Sequence, residues 1–286
     1  MNINARFNDI LVVVKGGGDL ASGAAYRLKR SGFALIMTEL PAPLLVRRTV
    51  CYGAAVYDGE VTVDGLVARR VNSCAEAQAL TAGEMIPVLA DPQASIVAEL
   101  RPEVVVDAIM AKVNTGTTIH DAPLVVTLGP GFTAGQDCHA VIETNRGHWL
   151  GRVIYPGCGP AVNGQAQPDT RTPGLIESRA ADRILRAPAA GQVTPHARIG
   201  DRIAAGQLIA TVDGREIRAA FSGVLRGLVH SDVQVTPGLK IGDLDPRGDV
   251  SHCSTISDKS LAIGGGVLEA ILASDLMRES RRGDNR

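Results

Sequence analysis

Apolar runs and polar breaks alternate through the first half of the chain with two different periods. Ile10–Val14 is an unbroken apolar run with three valines, a length and β-branching that predict a strand buried on both faces. It passes through Lys15 into Gly16-Gly17-Gly18-Asp19, after which the spacing from Leu20 to Lys29, closed near Gly32, predicts a helix. Phe33–Thr38 predicts a second strand, ended by Glu39-Leu40-Pro41. Two strand patterns flank Asp64-Gly65, a dipeptide suited to a type I′ hairpin turn. Ser73 and Glu76 stand at capping-box spacing for a short helix. Ile86–Ala90 predicts a strand, and Asp91-Pro92 places an N-cap before a first-turn proline, opening a helix to about Leu100. Val104–Ile109 and Leu124–Leu128 are again buried-strand runs. This alternation predicts an α/β fold, a Rossmann-like domain built on a parallel, doubly wound sheet.

The texture changes after Ile154. Residues 155–182 begin rich in Gly, Pro and Asn with no periodicity, and predict a long loop. From Ala187 to Asp245 short β segments are punctuated by glycine, and the segment matches itself at a shift of 32 residues: Ala187 on Ala219, Gly191 on Gly223, Gly206 on Gly238, Ile209 on Ile241, Asp213 on Asp245. Matched glycines fall at turns and matched apolar residues inside strands, which predicts two pseudo-symmetric β halves in a small all-β barrel-sandwich of biotinyl/lipoyl-like type. Ile263-Gly264-Gly265-Gly266-Val267 then leads into a helical pattern from Leu268 to Met277, with a polar tail over 278–286. The expected division is an α/β domain over 1–182, the β domain over 183–248, and a C-terminal helix over 249–286 packing back on the α/β domain.

Composition narrows the functional classes. The 286 residues carry 29 Lys and Arg against 30 Asp and Glu, a formal net charge of -1, and only 3% aromatics. That excludes the basic stripe and stacking platforms of a nucleic-acid binder. No apolar run approaches the ~20 residues of a membrane span, and the polar N-terminus is not a signal peptide. Five widely spaced cysteines without a CxxC point to a reducing, cytoplasmic setting rather than a disulfide framework. Arg outnumbers Lys 24 to 5. The hairpin between the two β halves, Asp213-Gly214-Arg215-Glu216, contains no lysine, so no covalent biotin or lipoate is expected.

Candidate chemistry gathers after the strands. Gly16, Gly17, Gly18, Asp19, Ala21 and Gly23 form a G-x-G-x-x-A element between strand and helix, where backbone amides and the helix dipole favour a phosphate. Asp19 is at odds with this, since its charge repels an anion. Glu39 lies 23 residues beyond Gly16, where an acid meets a ribose hydroxyl. Arg48, beside Arg47, reads either as a guanidinium for phosphate or carboxylate or as part of a solvated pair. Lys112, Asn114 and Thr115 follow a strand and suit an oxygen-rich anion. Gly129, Gly131 and Thr133 form a third glycine-rich turn that would complete the cleft. Cys138, His139, His148 and Cys158 match no zinc spacing, so no metal site is expected, and nothing nearby lowers a thiol pKa. No catalytic residue is signalled.

The segments Val13–Gly23, Val46–Val50, Leu128–Gly135, Ile142–His148, Ile184–Pro188 and Asp258–Gly266 resemble the accessory proteins of the selenium-dependent molybdenum hydroxylase system. The resemblance covers essentially the whole chain. It implies a cytoplasmic helper of a client molybdenum hydroxylase of the xanthine dehydrogenase type, serving cofactor or selenium maturation, and it hands over no assigned catalytic residue. Joined to the glycine element, it leads to the expectation of an accessory protein that binds a small anionic ligand, a nucleotide or a molybdopterin-type cofactor. An NAD(P)-dependent oxidoreductase and a non-catalytic interaction scaffold are the alternatives, and a homo-oligomer is compatible with either.

Overall fold

The structure, a computed structural model, describes residues 7–160, 163–169 and 181–275. Much of the expected loop over 155–182, the end of the expected C-terminal helix at Leu276 and Met277, and the polar tail lie outside the described residues.

The first strands and helices are β1 (Phe7–Lys15), α1 (Asp19–Arg30), β2 (Phe33–Glu39), α2 (Ala55–Asp58), β3 (Glu60–Val63), β4 (Leu66–Val71), α3 (Cys74–Thr81), β5 (Ile86–Ala90), α4 (Ile96–Leu100), β6 (Val104–Asp107), β7 (Leu124–Leu128), β8 (Ala140–Ile142) and β9 (Val153–Ile154). They form one nine-stranded sheet in the order β3-β4-β5-β2-β1-β6-β7-β8-β9. β4 through β8 run parallel along this order. Every residue of β6, β7 and β8 is buried, as unbroken apolar runs covered on both faces require. Alternation divides the strands between two cores. Val12, Val14, Leu35 and Met37 face α1, while Val13 and Ile36 face Ala77 of α3 and Ile96 of α4. β1 is flanked by β2 on one side and β6 on the other, so the connection order reverses there and the carboxyl ends of β1 and β6 splay open.

After Ile184 come β10 (Ile184–Arg186), β11 (Gly191–Pro195), β12 (Arg202–Ile203), β13 (Leu208–Val212), β14 (Arg215–Arg218), β15 (Gly223–Leu228), β16 (Gln234–Val235) and β17 (Lys240–Asp245). The repeat is visible in the pairing. Ile203 pairs with Gly223, and Val235 pairs with Gly191, each residue 32 positions from its counterpart. Each half thus lends its short middle strand to the sheet of the other. The last helix is α5 (Asp258–Leu272), capped by Ser257, whose hydroxyl accepts from the Ser260 amide.

The expected fold class is corrected on two counts. The large sheet is mixed rather than parallel, because β3 and β9 join its edges antiparallel, β3 through a two-residue turn and β9 through the loop over 143–152. The β3–β4 connection is the hairpin at Asp64 and Gly65, whose φ values of 46° and 75° are those of the type I′ turn. The second region is not a biotinyl/lipoyl-like barrel-sandwich. It is two antiparallel four-stranded sheets, β10-β17-β15-β12 and β14-β13-β11-β16, whose hydrogen-bonded ladders close separately among the described residues.

Two helix boundaries also differ from expectation. α4 starts at Ile96 rather than at Pro92, because Asp91 spends its carboxylate on the Ser95 hydroxyl and the Ile96 amide and Ala94 takes a positive φ of 50°. α5 starts ten residues before Leu268 and runs straight through Gly264-Gly265-Gly266. Gly264 lets it approach α1, where a Cβ would sit 2.4 Å from the carbonyl oxygen of Gly23, and Gly266 lets it approach Gly151, whose carbonyl would be 2.2 Å from a Cβ. No helix of the described residues is long and apolar enough to cross a membrane.

Candidate functional site

A cleft of about 780 Å³ opens at the carboxyl ends of β1, β2, β5 and β6, at the point where the connection order reverses. Its floor begins where β1 ends. Gly16 turns the chain with φ +94°, and a Cβ there would meet the Ala108 carbonyl at 3.0 Å. Gly18 precedes α1 as its N-cap without a side-chain capping bond, so the first amides of α1 face outward with no side chain closing them.

The glycine element divides by role. Gly16, Gly18 and Asp19 line the cleft. Gly17 does not: it lies against Gly53, where a Cβ would come within 2.6 Å of the Gly53 Cα, and its amide donates to Glu39 Oε1 at 2.8 Å. Ala21 is sealed in the α/β core. Gly23 faces α5, with the Ser260 carbonyl 2.3 Å from where a Cβ would be. The conflict posed by Asp19 is resolved locally. Its carboxylate accepts from Arg47 Nη1 at 2.6 Å and from the Ser260 hydroxyl at 2.7 Å, so its charge is held by groups outside the cleft.

Glu39 lines the cleft at the end of β2. Burial raises its carboxyl above the ordinary value, against the lowering pull of the Leu40 and Gly17 amides. Lys112 and Thr115 also line it, with Lys112 Nζ 2.7 Å from Asp169 Oδ2. Asn114 instead organises its own loop: its Oδ1 accepts from the Gly116 and Thr117 amides and its Nδ2 donates to the Thr117 carbonyl.

The remaining sequence-derived residues stand elsewhere. Arg48 Nε donates to the Leu228 carbonyl at 3.1 Å, tying the α/β domain to the β region. The turn at Gly129, Gly131 and Thr133 does not complete the cleft. Gly129 backs onto the Thr144 side chain, Gly131 onto the Lys112 and Val113 backbone, and the Thr133 hydroxyl accepts from Gln165. That turn supports Lys112 from behind.

The structure brings in residues that the sequence did not single out. Lys15, the last residue of β1, donates to the Thr117 hydroxyl, which donates to the fully buried Asp107 at the end of β6. Lys240, at the start of β17, reaches the cleft from the β region. Burial lowers its pKa, with Asp243 pulling the other way, and its amine has no hydrogen-bond or ion-pair partner among the described residues. Three of the chain's five lysines, 15, 112 and 240, therefore line one cleft in a protein that otherwise uses arginine. That scarcity was the available signal. Leu40, Leu44 and Ile109, each at least 44% exposed, form an apolar wall at the mouth. Among the described residues no three His, Cys, Asp or Glu side chains converge as metal ligands. Cys138 is fully buried, and burial pushes its thiol up to about 11, while Cys158 is exposed.

No family model matches the chain. It is 51% identical over 262 residues to a protein of Escherichia coli strain K12 named "Uncharacterized protein YqeB", a match that covers 92% of this chain and 47% of that one. The chain thus spans about half the length of the curated relative it matches. Among solved structures it is similar to an aspartoacylase family protein from Mesorhizobium loti, at 13% identity and TM-score 0.26, covering 83% of this chain and 85% of that one. The apo ectoine utilization protein EutE (DoeB) from Ruegeria pomeroyi is similar at 10% identity and TM-score 0.24, covering 82% and 86%. Likenesses of that size leave the fold to be read from this chain's own strand order.

Proposed function

We propose that this protein is an accessory protein of molybdenum hydroxylases of the xanthine dehydrogenase type, acting in the cytoplasm, and that its cleft holds a nucleotide or molybdopterin-type ligand. One observation carries the reading: a cleft at the reversal point of the sheet, between the outward-facing amides of α1 and three of five lysines, with an exposed apolar wall at its mouth. Its volume of about 780 Å³ suits a ligand larger than a free phosphate. Phosphate oxygens would lie between Gly18 and Lys240, where an unpartnered ammonium gains a charge-assisted bond. A planar ring would lie on Leu40, Leu44 and Ile109. Glu39, whose two oxygens accept from the Gly17 and Leu40 amides, presents a ribose-facing carboxyl. The resemblance in Val13–Gly23 and Asp258–Gly266 supplies the client; the cleft supplies the ligand class.

The protein, purified without added ligand, is expected to release a nucleotide or pterin species on denaturation, identified by mass spectrometry. Titration calorimetry of the emptied protein should then show micromolar binding of that species, weakened about tenfold by Lys240→Met. No released species and no titratable nucleotide or molybdopterin would overturn the reading. Micromolar binding of NAD(H) or NADP(H) alone would replace it with the oxidoreductase.

A further inference from the structure

A second concavity, of about 950 Å³, adjoins the first on the carboxyl edge of the sheet. Lys15, Gln93, Ala94 and Gly116 line both, so the two run together as one trough with Lys15 at the divide. The second compartment is lined from three connections: Arg101 after α4, His120 and Asp121 after β6, and His139 before β8.

His139 is held in a defined state. Its amide donates to the Val125 carbonyl at 2.8 Å, and the Val125 amide donates to its Nδ1 at 2.9 Å. A backbone N–H has only a proton to give, so Nδ1 is the unprotonated nitrogen and the neutral ring carries its hydrogen on Nε2. Burial lowers the ring's pKa, against the raising pull of the Val125 hydrogen bond and with a smaller lowering contribution from neighbouring His120. Nε2–H has no acceptor among the described residues, and the half-buried ring lines the compartment. Of the compartment's charged and imidazole side chains, Lys15, Arg101, His120 and His139 stand against one carboxylate. That carboxylate, Asp121, already accepts from the Thr118 hydroxyl at 2.7 Å and lies 3.9 Å from Lys15 Nζ. The excess is of donors over acceptors, and the Arg101 guanidinium has no ion pair or hydrogen bond among the described residues, its amide alone donating to the Val97 carbonyl.

We propose that this second compartment binds the oxyanion group of a small molecule, a carboxylate or a phosphate, through His139 Nε2–H, Arg101 and Lys15. The inference goes beyond the glycine-loop site and does not need it: the two compartments present different reporters, the Gly18 amide in one and the His139 ring in the other.

The test is an NMR titration of the intact protein with imidazole and amide labelling, using inorganic phosphate in one arm and acetate in the other, at constant pH and ionic strength. The free protein should show His139 as the Nε2–H tautomer. At least one probe should produce a saturable shift of His139 and His120 within ~10 mM, weakened about tenfold in Arg101→Met and in His139→Phe. Arg101 is exposed, so its replacement leaves the fold intact even where His139→Phe does not. Shifts confined to Gly18, no saturable shift at His139 with either probe, or shifts that survive Arg101→Met would each overturn the proposal. Binding of a nucleotide at Gly18 is unaffected by any of these outcomes, so failure here is distinguishable from failure of the first site.

Discussion

Gly23 shows how one position serves a fold while sitting inside a motif that reads as ligand chemistry. Its spacing from Gly16 invited a place in the phosphate loop, yet its missing side chain is what lets α5 lie on α1. A methyl group there would sit 2.3 Å from the Ser260 carbonyl, a backbone atom that cannot rotate away. Gly23→Ala is expected to cost about 2 kcal/mol in urea unfolding while leaving any ligand affinity of the folded fraction unchanged. The sequence showed the strand, the glycine turn and the helix, because each is encoded by neighbours in the chain. It did not show which glycines face the cleft, because that depends on partners such as Gly53 and Ser260 that only the tertiary fold brings near. Asp19 is the same lesson in charge. Its partners Arg47 and Ser260 are 28 and 241 residues away, so local reading sees an unshielded carboxylate.

At the scale of elements, propensity was informative where an element packs by its own pattern and misleading where it packs by close approach. β1, β2, β6 and β7 were legible as apolar runs. α5 was half missed, because three successive glycines carry a high helical cost, which close backbone approach offsets at two of them: Gly264 against α1 and Gly266 against Gly151. β17 carries the clearest titration. Burial pushes the Asp245 carboxyl up, but hydrogen bonds from Arg247 and the charge of Arg226 outweigh it and hold the group at about 2, against 3.8 ordinarily. A depressed carboxylate contributes stability that is fully present above its unfolded value and is lost as pH falls through the folded one. Asp245→Asn should therefore be less stable than the wild type at neutral pH. The gap is expected to close between about pH 4 and pH 2 in acid unfolding followed by circular dichroism. A gap that stays constant across that window would rule out the linkage.

For the whole molecule, Arg47 joins the parts. Its guanidinium reaches Asp19 at the start of α1 and the His252 carbonyl beyond the second β region, and beside it Thr49 donates to the Cys253 carbonyl. Arg48 and Leu228 add a further tie. Arg47→Met should destabilise the protein by about 2 kcal/mol and speed limited proteolysis around residues 246–256, because it leaves Asp19 short of its counter-charge. Adding Asp19→Asn should recover part of the loss. The division into an α/β part, a repeated β part and a returning helix was legible from changes in texture along the chain. The cleft was not, since its lysines come from the end of β1, the start of β17 and the loop after β6, and no window of sequence holds them together.

The return of α5 has a bearing on the order in which the molecule is made. Ser260 lies 241 residues beyond Asp19, and the helix that carries it covers the α1 face of the sheet. On a ribosome, the glycine loop, β2 and the rest of the nine-stranded sheet emerge long before that cover exists. The β region is synthesised in the interval and can complete its own two sheets first. The α/β domain is thus the first part of the described chain to be translated and the last to be finished, and the nascent protein carries a bare apolar face until α5 is released.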